Sequence, residues 1–331
     1  MATLKDVANL ACVDVSTVSR ALNNTSYVHP DTKERILKAV KELSYHPNII
    51  AKSLKQGKRH TIGVVIPRLS LTVFAVIAQT IEEEARKNGY ATLICNTEDD
   101  PKIEKECLNR LRSGFVDGII IAGTGKNNRL IRDIHSTGIA ITQIVRRQDP
   151  GLNSVTVNYE KCGYEATKYL YNLGCREIGL INGPMNIAPY KERYNGYSKA
   201  INELGINETT ASSKIPVHSL EYGYECAIEL LDKSENLDGI MAAVDAQAIG
   251  AMRALKDNNI SVPDDIHLLS LTGDRIGKML ETSMTSFEMP VSDIGINAAK
   301  TIIEEIENTT TEKSKPKNIV FLSKLVKRES S

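Results

Sequence analysis

From Thr61 onward, short and continuously apolar runs alternate with longer amphipathic stretches. The runs end in turn residues, and they are TIGVVIP, ATLICN, DGIIIAG, IAITQI, REIGLING, KIPVHS, DGIMAAV and DIHLLSL. Strands that are apolar on both faces are typical of parallel sheets covered by helices on both sides. Eight such runs suit two α/β lobes better than one. Two later segments, TSFEMP and IVFLSKLV, break the alternation, and we predict that they cross between the lobes.

The first 47 residues lack such runs. Apolar side chains recur there at helical spacing in three stretches, around Val7, Val18 and Ala39, which predicts three short helices. Asp14 is placed to cap the second helix, and Pro30-Asp31 opens the third. Residues 1–60 hold ten Lys or Arg against five Asp or Glu, whereas the remainder holds 31 against 36. A basic headpiece on an acidic body suggests a polyanionic partner.

The first two helices are joined by a three-residue turn, as in helix-turn-helix proteins, whose second helix enters the major groove of DNA. On that helix Arg20 can donate two hydrogen bonds to guanine, Ser16 can bond to base edges, and Val15 can pack on a thymine methyl. Thr17 points outward or toward the DNA backbone. Four further side chains are of types that contact phosphates: Thr3, Ser19, Asn23 and Tyr27. The same periodicity would suit a three-helix cap on an enzyme, so the residues alone leave that alternative open.

Residues 3–22, TLKDVANLACVDVSTVSRAL, resemble the headpiece of the lactose-repressor/galactose-repressor (LacI/GalR) family, with Asp14 in place of the usual serine. YHPNIIAKSLKQGKRHTIGVVIP is similar to the family's hinge and first core strand, and SKLVKRESS to its last strand and tail. The resemblance implies an α/β protein with an N-terminal three-helix helix-turn-helix headpiece, a hinge helix, and a periplasmic-binding-protein-like core of two parallel-sheet lobes with crossover strands. The predicted bounds are 1–47 for the headpiece, 48–60 for the hinge helix and linker, 61–331 for the core, 61–158 with 291–322 for lobe one, and 159–288 with 323–331 for lobe two.

The resemblance implies a cytoplasmic, sequence-specific transcriptional regulator. We expect a repressor of carbohydrate-utilisation genes that binds a pseudo-palindromic operator as a homodimer. In this family the leucine matching Leu54 wedges between base pairs from the minor groove, within a hinge helix at 48–54. Ala51 is small at the matching close-approach position, Lys52 stands where arginine is common, and Asn48 is expected to contact DNA as well.

The family also binds a small-molecule effector, in most cases a sugar or sugar derivative, in the cleft between its lobes. Arg193 retains the family's effector-binding arginine. His218 is predicted at the end of a strand, where some members stack an aromatic ring on the ligand, and Phe74 matches a pocket-lining position. The polar residues usual at four further positions are replaced by Leu71, Val145, Val244 and Thr272.

These replacements leave three hypotheses open. The effector is less polar than a sugar and is held at one group by Arg193, or neighbours such as Asp274, Gln143 or Asn182 supply the missing polar contacts, or the effector binds weakly or is absent. A buried polar group that lacks its partner costs about 1–3 kcal/mol. A simple monosaccharide bound in the usual way is therefore not the expected ligand.

The sequence indicates no cofactor and no metal, because its six cysteines and six histidines are scattered without ligand spacing. No apolar run approaches the roughly 18 residues that span a bilayer, so no membrane partner is expected. Two rivals remain. A pure solute-binding protein with a vestigial headpiece would bind ligand without salt-dependent DNA affinity, and an α/β enzyme would need a nucleophile or acid–base pair at strand ends, which is not evident. A protein corepressor is a further candidate partner, since Lys300 matches a basic contact position in the catabolite-control branch.

Overall fold

The computed structural model describes residues 2–23, 26–45, 58–273, 275–308 and 315–331. The chain divides into two compact units, Met1–Arg59 and His60–Ser331. Several predicted site residues lie outside the described residues: Asn48, Ala51, Lys52, Leu54 and Asp274.

The smaller unit contains three helices, α1 (Leu4–Leu10), α2 (Val15–Asn23) and α3 (Pro30–Glu42). Their apolar stripes meet in one small core in which Val7, Val18 and Ile36 are fully buried. The Thr3 hydroxyl and the Asp6 carboxylate form a capping box at the start of α1, a device that contributes about 1 kcal/mol. The backbone carbonyl of Asp14 accepts hydrogen bonds from Thr17 and Val18 at the start of α2.

The larger unit alternates strands and helices, as the apolar runs predict. In chain order they are β1 (Thr61–Ile66), α4 (Thr72–Lys87), β2 (Ala91–Asn96), α5 (Pro101–Arg112), β3 (Gly118–Ile121), α6 (Asn128–Ser136), β4 (Ala140–Ile144), β5 (Asn153–Val157), α7 (Tyr159–Leu173), β6 (Ile178–Ile181), α8 (Ala188–Leu204), β7 (Thr209–Ala211), α9 (Leu220–Lys233), β8 (Gly239–Ala242), α10 (Asp245–Asp257), β9 (His267–Ser270), β10 (Thr285–Glu288), α11 (Val291–Glu307), β11 (Asn318–Phe321) and β12 (Lys324–Val326).

The strands form two six-stranded sheets, one in each lobe, with orders β11-β5-β4-β3-β1-β2 and β12-β10-β9-β8-β6-β7. Neighbouring strands are parallel except β12, which runs antiparallel to β10. The chain crosses between lobes after β5, after β10 and between β11 and β12. The segment IVFLSKLV therefore supplies one strand to each sheet, which is the predicted crossover.

Two strands differ from the sequence prediction. KIPVHS forms turns, and β7 lies earlier, at Thr209–Ala211. Proline removes a backbone donor from a sheet. Ile215 and Val217, which flank Pro216, pack on the core from a loop instead. β5 carries polar side chains and was not among the apolar runs. Ser154 within it donates a hydrogen bond of 2.6 Å to the Asn318 amide oxygen on the neighbouring β11.

Glycines allow α7 and α8 to pack backbone against backbone. A Cβ added at Gly196 would lie 1.9 Å from the carbonyl oxygen of Glu160, and one at Gly163 would lie 2.2 Å from the carbonyl oxygen of Arg193. Neither distance is sterically allowed. The close backbone contact between α7 and α8 therefore fixes the position of Arg193, which lies on α8.

None of the described helices is both long enough and apolar enough to span a membrane.

Candidate functional site

In the smaller unit, α2 presents an exposed polar face beside its buried stripe. Ser16 and Arg20 are exposed and Val15 is 39% exposed, whereas Val18 and Ala21 are buried. The Arg20 guanidinium donates a hydrogen bond of 3.3 Å to the Ser16 hydroxyl one turn earlier. The three predicted base-reading side chains therefore share one accessible face.

The predicted phosphate-contacting residues are accessible to different degrees. Tyr27 is 82% exposed, Asn23 is exposed, and Thr17 and Ser19 are half-buried. Thr3 caps α1: its hydroxyl donates to Asp6 at 2.8 Å, and its backbone N–H donates to the same carboxylate at 2.7 Å. These hydrogen bonds, the backbone one foremost, lower the pKa of Asp6.

In the larger unit, a cavity of about 180 Å³ lies between the two lobes, at the carboxyl ends of β1, β4, β8 and β9. Seven of the predicted effector residues line it: Leu71, Phe74, Val145, Arg193, His218, Val244 and Thr272. An engineered cavity of about 150 Å³ accommodates benzene. The volume thus suits one substituted ring.

Arg193 is the central cation of this cavity. Its side chain is 2% exposed, Nη2 donates to the Leu271 carbonyl oxygen at 3.0 Å, and the guanidinium lies over the Tyr159 ring. In the described part of the chain, Nε has no hydrogen-bond partner and no carboxylate forms an ion pair with the guanidinium. A buried donor without a partner is costly, so this group is poised to bind an acceptor on a ligand.

Sequence reasoning missed two polar groups on the same wall. Asp245, the first residue of α10, accepts a hydrogen bond from the Thr272 hydroxyl through Oδ2, while its buried Oδ1 has no partner in the described part of the chain. The buried Tyr159 hydroxyl has none there either, and burial raises the pKa of Tyr159, so it remains a neutral donor. An aspartate soon after the end of β8 was the available signal for Asp245, whereas no motif marks Tyr159.

Arg146 is a second cation on the cavity wall that sequence reasoning did not assign. It forms a two-point ion pair with Asp99, with Nη–Oδ distances of 2.5 and 2.8 Å. The preceding residue, Val145, has a φ of 62°, a left-handed conformation that is rare for a β-branched residue. Such backbone strain persists mainly at functional sites.

His218 lines the cavity from the turn before α9 and does not end a strand, because the predicted strand around it is absent. The Tyr190 hydroxyl lies 3.3 Å from its Nδ1. Desolvation, reinforced by the positive charges of Arg68 and Arg146, lowers the pKa of His218 to about 4. The imidazole is therefore neutral at physiological pH and presents a ring face and one acceptor.

Two residues proposed to supply missing polar contacts do not line the cavity. Gln143 ties down a loop instead: its Oε1 accepts from the N–H groups of Gln148 and Asp149 at 2.8 and 2.9 Å. Asn182 donates to the carbonyl oxygen of Tyr190. Asn182 Oδ1 is itself buried without a partner in the described part of the chain. On the cavity wall, the polar groups without a partner among the described residues belong to Arg193, Asp245, Tyr159 and Arg146.

The described residues contain no cluster of three or more His, Cys, Asp or Glu side chains that could hold a metal ion.

Two family models match the chain. Residues 3–48 match "Bacterial regulatory proteins, lacI family", and residues 59–329 match "Periplasmic binding proteins and sugar binding domain of LacI family". Among curated proteins, the HTH-type transcriptional regulator RegA of Clostridium saccharobutylicum is 33% identical over 100% of both chains. The ribose operon repressor of Halalkalibacterium halodurans is 31% identical over 93% of this chain and 91% of that protein.

The fold is shared with a solved structure of the lac repressor dimer bound to operator and the anti-inducer ONPF. The two chains are 23% identical, with a TM-score of 0.87 over 99% of this chain and 98% of that one. The headpiece, the two-lobed core and the relatives agree: the chain belongs to the LacI family of bacterial regulatory proteins and is a DNA-binding transcriptional regulator.

Proposed function

We propose that the protein represses carbohydrate-utilisation genes in the cytoplasm, as a homodimer on a pseudo-palindromic operator. A small neutral or weakly acidic sugar derivative, bound between the lobes, controls it. One observation carries this proposal: a ring-sized cavity holds the Arg193 Nε, the Asp245 Oδ1 and the Tyr159 hydroxyl, none of which has a partner among the described residues. Arg193 Nε needs an acceptor, Asp245 Oδ1 needs a donor and the Tyr159 hydroxyl can bind either, which is how a hydroxylated ring is recognised.

The exposed face of α2 supports the assignment of DNA contacts. Val15, Ser16 and Arg20 are available for base edges, while Thr3, Thr17, Ser19, Asn23 and Tyr27 are proposed for the backbone. Leu54 remains the proposed minor-groove wedge, with Asn48, Ala51 and Lys52 beside it.

A homodimer is supported by an uncovered sheet edge. β2 is the outer strand of its sheet, and both Leu93 and Ile94 on it are more than 40% exposed. Exposed apolar side chains on a strand edge usually mark an interface. The ribose operon repressor and the sugar-binding family model support a carbohydrate as the class of effector.

Calorimetry of the full chain against a panel of pentoses, hexoses, disaccharides and their acids tests the effector. We expect one ligand to bind, and Arg193→Ala to abolish binding, because it removes the buried cation. Arg253→Ala, which removes an exposed arginine of α10 paired with Asp257, is the control and retains binding.

Operator binding is then followed by fluorescence anisotropy with and without that ligand. Ligand-dependent DNA affinity in the wild type, lost in Arg193→Ala, supports the proposal. If none of the sugars binds, the proposal is contradicted. Equal DNA affinity with and without the bound ligand contradicts it as well.

A further inference from the structure

A second cavity, distinct from the one between the lobes, runs along the outer face of α7. Its volume is about 490 Å³. One side is formed by a single stripe of α7, spaced three and four residues apart; the other is the crossover segment Leu322–Leu325 with Phe287. We call it the hinge groove, because its far wall joins the two sheets.

The hinge groove is basic. Lys161, Lys168 and Lys324 line it, against one carboxylate, Glu165. In the part of the chain that the structure describes, none of the three ammonium groups forms an ion pair. The Lys168 ammonium lies 5.7 Å from the centroid of the Tyr164 ring. Lysines outnumber carboxylates on the walls of the groove, which favours an anionic ligand.

The groove also offers flat and polar surface. The Tyr169 and Phe287 rings contribute to its walls, and the Asn172 amide lies at one end. Lysine ammonium groups bind phosphate as point charges, and aromatic rings cover the apolar face of a ring compound. The volume is larger than that of the interlobe cavity and suits a ring that carries a phosphate group.

The same helix contacts Arg193 on its inner side. Gly163 of α7 lies against the Arg193 backbone, and the Tyr159 ring lies under its guanidinium. Cys162, which lines the hinge groove, is placed between the two: Arg193 and Ser323 are both immediate neighbours of its thiol. α7 is thus a shared wall of the two cavities.

We propose that the hinge groove binds a phosphorylated ring metabolite and that its occupation changes the affinity of the interlobe cavity for its own ligand. The ligand would bridge Lys161 and Lys168 on α7 to Lys324 on the crossover. Such a ligand would hold α7 in one position, and α7 carries the Tyr159 ring that lies under the Arg193 guanidinium. Coupling of this kind between two sites is typically 5- to 150-fold in affinity.

The test uses the full-length protein and isothermal titration with three probes: inorganic phosphate, glucose 6-phosphate and AMP. We expect at least one phosphorylated ring to bind and to do so more tightly than inorganic phosphate. The double variant Lys161→Ala/Lys324→Ala is expected to weaken that binding at least tenfold. Lys102→Ala/Lys105→Ala on α5, which removes two lysines that do not line the groove, is the matched control and leaves it unchanged.

Arg193→Ala separates this site from the interlobe cavity and from the proposed function. This variant should still bind the phosphorylated probe, although it no longer binds the effector. Binding that survives the groove double variant but disappears in Arg193→Ala assigns the anion to the interlobe cavity and overturns the proposal. Equal binding in all variants assigns it to another basic surface and overturns it too, as does the absence of any binding.

Discussion

The guanidinium of Arg193 lies over the ring of Tyr159, with 4.8 Å between its Cζ atom and the ring centroid. A cation over an aromatic face is stabilised by about 0.5–2 kcal/mol. Among the described residues, this contact stands where a buried arginine usually has a carboxylate. It keeps the cation in the cavity without neutralising it, so Nε stays available to a ligand.

The Tyr159 hydroxyl gives the first prediction, because it is buried and has no partner in the described residues. Tyr159→Phe keeps the ring under Arg193 and removes only the unsatisfied group. We expect the free energy of unfolding, measured in urea, to stay equal or to rise by up to about 1 kcal/mol. Effector affinity, measured by calorimetry, should fall about threefold to tenfold, as expected for one lost hydrogen bond.

Opposite directions for stability and affinity distinguish a ligand-binding hydroxyl from a structural one. A parallel loss of both in Tyr159→Phe would assign the hydroxyl to the fold. Unchanged affinity would remove Tyr159 from the site.

Gly196 gives a second prediction. Alanine there would place its Cβ against the carbonyl oxygen of Glu160, and neither helix backbone can yield without moving the other. Gly196→Ala should destabilise the unit by about 3 kcal/mol and weaken effector binding, because Arg193 moves with α8. Asn195→Ala, at the exposed neighbouring position on the same helix, should change the urea midpoint little. A wild-type midpoint for Gly196→Ala would show that the helices are not in backbone contact.

His218 gives a pH prediction. Its pKa is about 4 in the folded protein, against about 6.5 in an unfolded chain. As pH falls from 6.5 toward 4, the unfolded state takes up a proton that the folded state does not, so stability is lost over this window. The contribution is fully present above pH 6.5.

His218→Gln removes this proton uptake. Thermal unfolding measured from pH 7 to pH 4.5 should therefore show a smaller fall in Tm for His218→Gln than for the wild type. Identical pH slopes for the two proteins would place the His218 imidazole in water.

Periodicity was enough to predict the fold where burial is one-sided or complete. Val18 and Ile36 are buried because their helical stripes are apolar, and the runs at Ile62 and Ile119 become central strands. Strands β5 and β7 were not predicted by this reasoning. Ser154 in β5 is polar but satisfied by Asn318 across the sheet, and that pairing is not visible in a single strand.

The site was predictable only where a motif marks it. Arg193 could be matched to a family position, whereas Tyr159 and Asp245 matter because their buried polar atoms have no partners among the described residues. Whether a side chain is satisfied depends on neighbours far away in the chain, such as Thr272 beside Asp245. The groove along α7 likewise exists only because a crossover segment lies opposite the helix.

The helical face formed by Val15, Ser16 and Arg20 is proposed to read operator DNA. Its most direct test is a fluorescence-anisotropy titration of wild type and Arg20→Ala against an operator selected from random-sequence DNA, and against a scrambled duplex of equal length, at fixed salt. We expect Arg20→Ala to lose about 1–3 kcal/mol of binding free energy on the operator, and on the scrambled duplex to lose only the contribution of its charge. Equal losses on both duplexes, or unchanged operator affinity, would contradict it.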